Sequence, residues 1–317
     1  MIAIIGHRGA PGHLPEHTRG SYLLAIAQGV DAIEPDVVAT RDGVLVVRHE
    51  NDISSTTDVS SRPEYADRRT RKVIDGRTTD GWFTDDFTWD ELRTLRARER
   101  IPEIRPTSAA HDDDEPILAL TEVLTLARDG GIGVVVELKH ATYFASIGID
   151  LAALVARDIR ASGWDGDPAL VIEAFEQSAL ERVREEGIRA RYVYLIERTG
   201  SPADRIARDG RAAPTYRDQF GAPAVLAPAV DGVSVHKHLL LAANGAELAA
   251  RVRDAGLELF TWTCRPENAF LERRFRGPGG RTAHGRWREE WRELRDVGAT
   301  ALFADHPDLA RELFPRE

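Results

Sequence analysis

The chain of 317 residues carries a formal net charge of −10, with 42% hydrophobic and 30% charged residues; this fits one large α/β domain or two small ones and leaves no basic footprint for nucleic acid. Its one cysteine, Cys264, excludes an internal disulfide and a cysteine-built zinc site, and with no base supplied by its neighbours it reads as a small buried residue. No apolar run approaches the roughly 20 residues that a helix needs to cross a bilayer.

The opening Met1-Ile2-Ala3-Ile4-Ile5-Gly6 has no basic leader or cleavage pattern. It reads as a buried strand over Ile2–Ile5, and the protein is expected to be cytoplasmic, or periplasmic or secreted if a leader has been removed. Thr18 to Gln28 predicts a helix, with Thr18 as N-cap and Gly29 at the C′ position. A second strand is expected at Ala32–Val37, extended by Val44–Val47 after an Arg41-Asp42-Gly43 turn. Further apolar runs fall at Gly133–Leu138, Ala169–Ile172, Arg191–Leu195, Gly232–Val235, Leu257–Trp262 and Ala301–Ala304. Helical stripes lie between them, at Leu151, Leu154, Val155 and Ile159 and at Leu240, Leu241, Leu248 and Val252. Strand units separated by helices predict a parallel sheet, and eight such units predict closure into an α/β (β/α)8 TIM barrel. An open doubly wound sheet is the alternative, although no G-x-G-x-x-G follows the first strand.

Two segments interrupt the alternation. Residues 51–115 are polar but contain Trp82, Phe83, Phe87 and Trp89, which predicts an inserted subdomain after the second strand rather than disorder. Residues 1–317 then form a single barrel domain around it, and its removal is expected to alter substrate range more than stability. Arg265–Val297 carries Gly277-Pro278-Gly279-Gly280 and a charged helix with Trp287 and Trp291, and is expected to form a second flap. Both follow strands, so both should lie at the C-terminal rim.

Chemically useful residues gather at strand ends. His7 and Arg8 follow the first strand, Glu34 and Asp36 lie two apart near the end of the second, and His49 ends its extension. Glu137 and Lys139 lie two apart at the end of the third. Spacing by two puts side chains on one face of a strand, and a barrel brings these ends together at its C-terminal mouth. Three converging carboxylates repel one another unless a cation is present, and oxygen ligands suit a hard divalent ion, magnesium or calcium. With Lys139 and Arg8, the pocket suits an anionic substrate such as a phosphate. His7 and His49 are then candidates to take and give protons in phosphodiester cleavage. Taken singly, each of these residues reads as well as a turn residue, a cap or a salt-bridge partner; the pattern comes from their conjunction.

The ordered set His7-Arg8-Gly9, Pro15-Glu16-His17-Thr18, Gly29-Val30-Asp31, Ile33-Glu34-Pro35-Asp36-Val37, Thr40-Arg41-Asp42-Gly43 and Val46-Val47-Arg48-His49 resembles the glycerophosphodiester phosphodiesterase family. Thr56-Thr57-Asp58-Val59, Val136-Glu137-Leu138-Lys139, Asp231-Gly232-Val233, Leu257–Thr263 and Phe303-Ala304-Asp305-His306-Pro307 extend the resemblance over nearly the whole chain. Pro-Glu-His-Thr and the long insertion are most similar to the bacterial periplasmic branch. The resemblance implies a (β/α)8 barrel, one divalent metal ion (Mg2+ or Ca2+) on Glu34, Asp36 and Glu137, and acid/base roles for His7 and His49. It implies phosphate contacts from Arg8 and Lys139, and release of glycerol 3-phosphate and an alcohol from a small-molecule phosphodiester.

Some positions depart from that pattern. Glu50 stands where the family often has Asp, and Glu173-Ala174-Phe175 replaces a more usual Gln-Ser-Phe. Glu173 is expected either to point into the barrel, changing its charge or head-group preference, or to sit in a rim salt bridge. Other positions follow the pattern: Lys237 stands where the family often has a lysine after its sixth strand, so the resemblance implies a substrate contact there, and at the family-like seventh-strand end it implies that Trp262 packs against the glycerol moiety, the alternative being core packing. His236 and His238 are expected to be solvated at the rim, and His111-Asp112-Asp113-Asp114-Glu115 to be a solvated loop. Two other functions are compatible with the chain. One is a lipid-directed phospholipase acting on lysophospholipid or sphingolipid; the other is a catalytically dead barrel used for binding, which the intact histidine and carboxylate set argues against.

Overall fold

The computed structural model describes residues 2–316. Its strands are β1 (Ala3–His7), β2 (Ala32–Glu34), β3 (Asp36–Ala39), β4 (Leu45–Val47), β5 (Thr70–Ile74) and β6 (Arg77–Gly81). They continue as β7 (Gly133–Leu138), β8 (Leu170–Ala174), β9 (Arg191–Ile196), β10 (Gly232–His236), β11 (Glu258–Cys264) and β12 (Ala301–Ala304). Pro35 has no amide hydrogen to give a ladder, so one extended run is divided into β2 and β3. The Glu137 amide bridges the break by donating to the Pro35 carbonyl at 3.0 Å.

β1 pairs in parallel with β12 and with β2, and β2 and β3 both pair with β7. Parallel pairings then run in order from β7 to β12. The result is a closed eight-membered (β/α)8 barrel in which β2 and β3 make one stave. The β1–β12 pairing closes the ring and eliminates the open doubly wound sheet. β4 pairs antiparallel with β3 outside the ring.

The barrel interior is an apolar plug of Ile5, Val135, Val171, Val193, Phe260, Ala301 and Phe303. On a strand the second residue onward faces the same way. Stepping by two from the plug reaches His7, Glu137, Glu173, Trp262 and Asp305, all at the C-terminal ends. Ala32, packed on the plug, leads likewise to Glu34. The polar layer of the mouth is therefore the next storey of the same inward-facing rows.

The helices between strands follow the expected punctuation. Thr18 caps Arg19–Ala27 by accepting the Ser21 amide, and Gly29 takes the left-handed φ of 81° that ends it. Helix Leu151–Ala161 buries Leu151, Val155 and Ile159. The stripe from Leu240 to Val252 belongs to two helices, Lys237–Leu240 and Gly245–Asp254. The chain folds back so tightly between them that a Cβ at Gly245 would lie 1.9 Å from the Leu240 carbonyl oxygen.

The segment after β4 contains the β5–β6 hairpin and several short helical turns. Its Ile53, Phe83, Phe87, Leu92 and Leu95 are wholly buried in the same apolar cluster as Val37, Val46 and Leu120. In the second flap, Trp287 and Trp291 are buried with ring centroids 4.6 Å apart and anchor the helix Trp287–Val297. Cys264 is buried, as expected. Among the described residues, no helix is long and apolar enough to cross a membrane.

Candidate active site

Strand register sets the carboxylates side by side. His7 is level with Glu34 across β1 and β2, Asp36 with Glu137 across β3 and β7, and Glu137 with Glu173 across β7 and β8. Glu34, Asp36 and Glu137 each offer an oxygen, and these lie within 4.8 Å of one another. All three are buried. Burial, reinforced by the charges of Asp36 and Glu137, pushes the Glu34 carboxyl well above its ordinary range. Burial likewise lifts Glu137 to about 8, against the pull of Lys139. Burial alone would raise Asp36 too, but Lys139, His49 and Arg8 hold it well below the usual range.

This crowding is what a cation relieves. Glu34 Oε1 is buried without a hydrogen-bond partner among the described residues, and Asp36 Oδ1 is buried with only the Lys139 ion pair beside it. Under-satisfied buried oxygens in an all-carboxylate set fit a hard divalent ion. Two cationic side chains already stand against the set. Lys139 Nζ lies 2.5 Å from Glu137 Oε1 and 3.2 Å from Asp36 Oδ1. Arg8 donates its amide to Glu34 Oε2 at 2.8 Å, and its Nε lies 3.1 Å from Asp36 Oδ2.

Arg8 and His17 have left-handed backbones, with φ of 57° and 61°. For non-glycine residues such conformations cost on the order of 1 kcal/mol or more and persist where surrounding contacts dictate them. Those contacts are present. Arg8 Nη1 donates to Glu16 Oε2 at 2.9 Å. His17 Nε2 donates to Asp36 Oδ2 at 2.9 Å, and its Nδ1 accepts from the Tyr22 hydroxyl at 2.7 Å. The Pro15-Glu16-His17-Thr18 motif is thus a bracket: Glu16 holds Arg8, His17 holds Asp36 and Thr18 starts the helix.

The two candidate catalytic histidines are built alike. His7 Nδ1 donates to Asp305 Oδ1 at 2.6 Å, and His49 Nδ1 donates to Glu50 Oε1 at 2.5 Å. These bonds place the Nδ1 proton toward the carboxylate and leave Nε2 as the acceptor of the neutral ring. Burial and then Arg8 press His7 down to about 4, and burial, Arg8 and Lys139 lower His49 in the same sense. Each orienting carboxylate is held by arginine. Arg100 Nη1 donates to Glu50 Oε2 at 2.6 Å, and Arg105 Nη2 donates to Asp305 Oδ2 at 2.7 Å. Arg265 adds a bond to Asp305 at 2.6 Å, and Arg105 also reaches Glu267 in the second flap at 2.8 Å.

Other sequence candidates fall in different places. Trp262 stands at the rim with its indole N–H on the Ser234 carbonyl, edge-on to Phe175 and to His236. Phe175 in turn lies 5.3 Å from Lys139 Nζ, which joins this aromatic wall to the carboxylate pocket. Lys237 is not brought into that group. It is buried and ion-paired to Glu290 of the helix Trp287–Val297. His236 is packed and caps the His238 amide, and His238 bonds Glu272 at 2.8 Å, so neither is a free rim group. Glu173 faces inward and, among the described residues, forms no rim salt bridge; burial, then Glu137 and Asp36, push its carboxyl well above the ordinary range. In the acidic loop, Asp113 binds Arg98 and Glu115 accepts the Gly20 amide, so the run is tied down rather than wholly solvated.

Asp305, Arg100, Arg105, Glu16 and His17 have no roles assigned from sequence. Asp305 carries a usable signal, because it lies two residues beyond the inward-facing Phe303. The arginines carry none, since their segment lacks periodicity.

The model of the glycerophosphoryl diester phosphodiesterase family matches residues 7–309. A glycerophosphodiester phosphodiesterase of Arabidopsis thaliana is 27% identical, over 95% of this chain and 82% of its own length. One from Treponema pallidum is also 27% identical, over 96% of this chain and 90% of its own. Among solved structures, an Oleispira antarctica phosphodiesterase in complex with the product sn-glycerol-3-phosphate superposes with a TM-score of 0.67 at 19% identity, covering 99% of this chain and 97% of that one. A glycerophosphodiester phosphodiesterase from Thermotoga maritima gives 0.60 at 18%, covering 99% and 98%. At those identities the structural likenesses speak to the fold.

Proposed function

Since the chain belongs to the glycerophosphoryl diester phosphodiesterase family, we propose that its barrel mouth hydrolyses a glycerophosphodiester to glycerol 3-phosphate and an alcohol. The observation that carries this reading is the pair of imidazoles, each with Nδ1 on a carboxylate, flanking a cluster of buried acids.

One histidine takes a proton at Nε2 from the attacking hydroxyl, either the substrate's glycerol hydroxyl or water. The other enters this step as an imidazolium, having taken up a second proton on Nε2 alongside the anionic substrate, and gives that Nε2 proton to the departing alcohol oxygen as the phosphorus–oxygen bond breaks. Attack by the glycerol hydroxyl leaves a cyclic phosphate, which water opens with the two histidines exchanging roles. Asp305 and Glu50 keep the rings turned so that Nε2 faces the mouth. Glu34, Asp36 and Glu137 would hold one divalent ion, Mg2+ or Ca2+, which when bound supplies Lewis-acid polarisation of a phosphoryl oxygen. Arg8 and Lys139 bring positive charge to the phosphate, and Trp262 with Phe175 offers an apolar wall to the rest of the substrate. Lys237 takes no part in this reading, because its ammonium is occupied by Glu290. Residues 51–115 act as an inserted subdomain whose Arg100 and Arg105 brace the two orienting carboxylates.

The direct test is release of glycerol 3-phosphate from glycerophosphocholine by EDTA-stripped protein, with Mg2+ or Ca2+ restored. Release that depends on the added ion is expected. No release with either ion would remove this substrate class and turn attention to lipid phosphodiesters. A second outcome concerns Asp305. Asp305→Asn keeps the shape but loses the carboxylate that fixes the His7 tautomer, and kcat should fall by roughly 10²-fold with KM little changed. Steady-state kinetics with nitrogen NMR of the His7 ring would check it; an unchanged kcat would strip Asp305 of the role.

A further inference from the structure

Among the described residues, no hydrogen bond or ion pair answers the Glu173 carboxylate. It projects into the barrel from β8, level with Glu137, and only 1% of it is exposed. Its Oε2 is buried with no hydrogen-bond partner among the described residues. The nearby cation is Lys139, already at ion-pair distance from Glu137 and Asp36. On either side along β8 the inward row is apolar, beginning with Val171 in the plug. A carboxylate buried without a partner is among the costliest groups a fold can hold, and it persists where a cation or a proton completes it.

We propose that Glu173 is a fourth oxygen donor of the divalent-ion site and gives that site a preference for Ca2+ over Mg2+. The inference rests on the reading of Glu34, Asp36 and Glu137 as ion ligands. Asp36, Glu137 and Glu173 stand in register on three adjacent staves, so Glu173 extends the row of acids by one strand. Its oxygens lie outside the set that converges within 4.8 Å, so the carboxylate must turn toward Glu137 when the ion enters. Ca2+ accepts six to eight oxygens in flexible geometry, whereas Mg2+ demands a near-ideal octahedron and keeps several waters. A further protein carboxylate therefore adds to Ca2+ binding and adds little to Mg2+. It also supplies the charge that offsets Arg8 and Lys139, both of which stand against the same acids.

The experiment is calorimetric titration of Ca2+ and of Mg2+ into the EDTA-stripped full chain, for wild type and for Glu173→Gln, without substrate. Wild type should bind Ca2+ more tightly, and Glu173→Gln should weaken Ca2+ by about tenfold or more while shifting Mg2+ by less than threefold. Equal affinities of wild type and variant for Ca2+ would overturn the proposal while leaving the three-carboxylate site standing. Failure of wild type to bind either ion would overturn the site and the proposal together. Luminescence lifetimes of Tb3+ in H2O and D2O give a second readout: Glu173→Ala should gain a bound water relative to wild type, and an unchanged water count would overturn the proposal. Both variants remove a buried unpaired acid, so their melting in EDTA should be no lower than that of wild type, confirming that they are folded when titrated.

Discussion

Replacing His7 or His49 by alanine should lower kcat for glycerophosphodiester hydrolysis by roughly 10²- to 10⁴-fold, the range that a general acid or base contributes. The reason is geometric. Each ring spends Nδ1 on a carboxylate, so in the proposed reaction the proton is handled at Nε2. The fold should survive. Removing His7 leaves a small void beside Phe303, with which it makes an edge contact at 6.4 Å. Acid stability should change in a defined direction as well. The folded pKa of His7 is pressed to about 4 from an ordinary 6.5, burial being the larger cause. Between those values the unfolded chain binds the extra proton, so stability is present above about pH 6.5 and is lost as pH falls toward 4. His7→Ala removes that share of the acid loss. Kinetics with circular-dichroism melts at pH 7 and pH 5 would measure both effects, and a near-normal kcat in either variant would take that histidine out of the mechanism.

Excising residues 51–115 should abolish cooperative folding. The sequence, being polar through this region, leads one to expect a dispensable cover. The structure shows Ile53, Phe83, Phe87, Leu92 and Leu95 wholly buried in the cluster that contains Val37 of the barrel stave and Val46 of β4. Truncating one buried Phe to Ala typically costs about 3–5 kcal/mol. Losing several such side chains approaches or exceeds the roughly 5–15 kcal/mol that separates a folded domain from its unfolded chain. Size-exclusion chromatography and thermal melts of the shortened chain would decide. A monomeric product with a sharp transition would mean that the barrel stands alone.

Much of the site was legible because strands repeat every two residues. Glu34 and Asp36, and Glu137 and Lys139, disclose their common face by spacing alone, and the ends of parallel staves must meet. The same step of two from Phe303 leads to Asp305, where the signal existed without a role attached to it. Arg100 and Arg105 are another matter. Their partners Glu50 and Asp305 lie 50 and 200 residues away in the chain, and no periodicity marks the segment that delivers them. The break in the Leu240–Val252 stripe was hidden for a similar reason, since the apolar residues continue while the backbone turns back at Gly245. Lys237 followed the family pattern in sequence, yet its ammonium went to Glu290, which no local signal announces.

The apolar plug of Ile5, Phe260 and Phe303 has a consequence for traffic. It seals the floor, so the pocket is a cul-de-sac and the C-terminal mouth is both entrance and exit. In the reaction proposed above, two products would leave by the doorway through which the next substrate arrives. The alcohol half would meet little beyond the aromatic rim and would go first, while the phosphate half would stay against Arg8 and Lys139 until it too left.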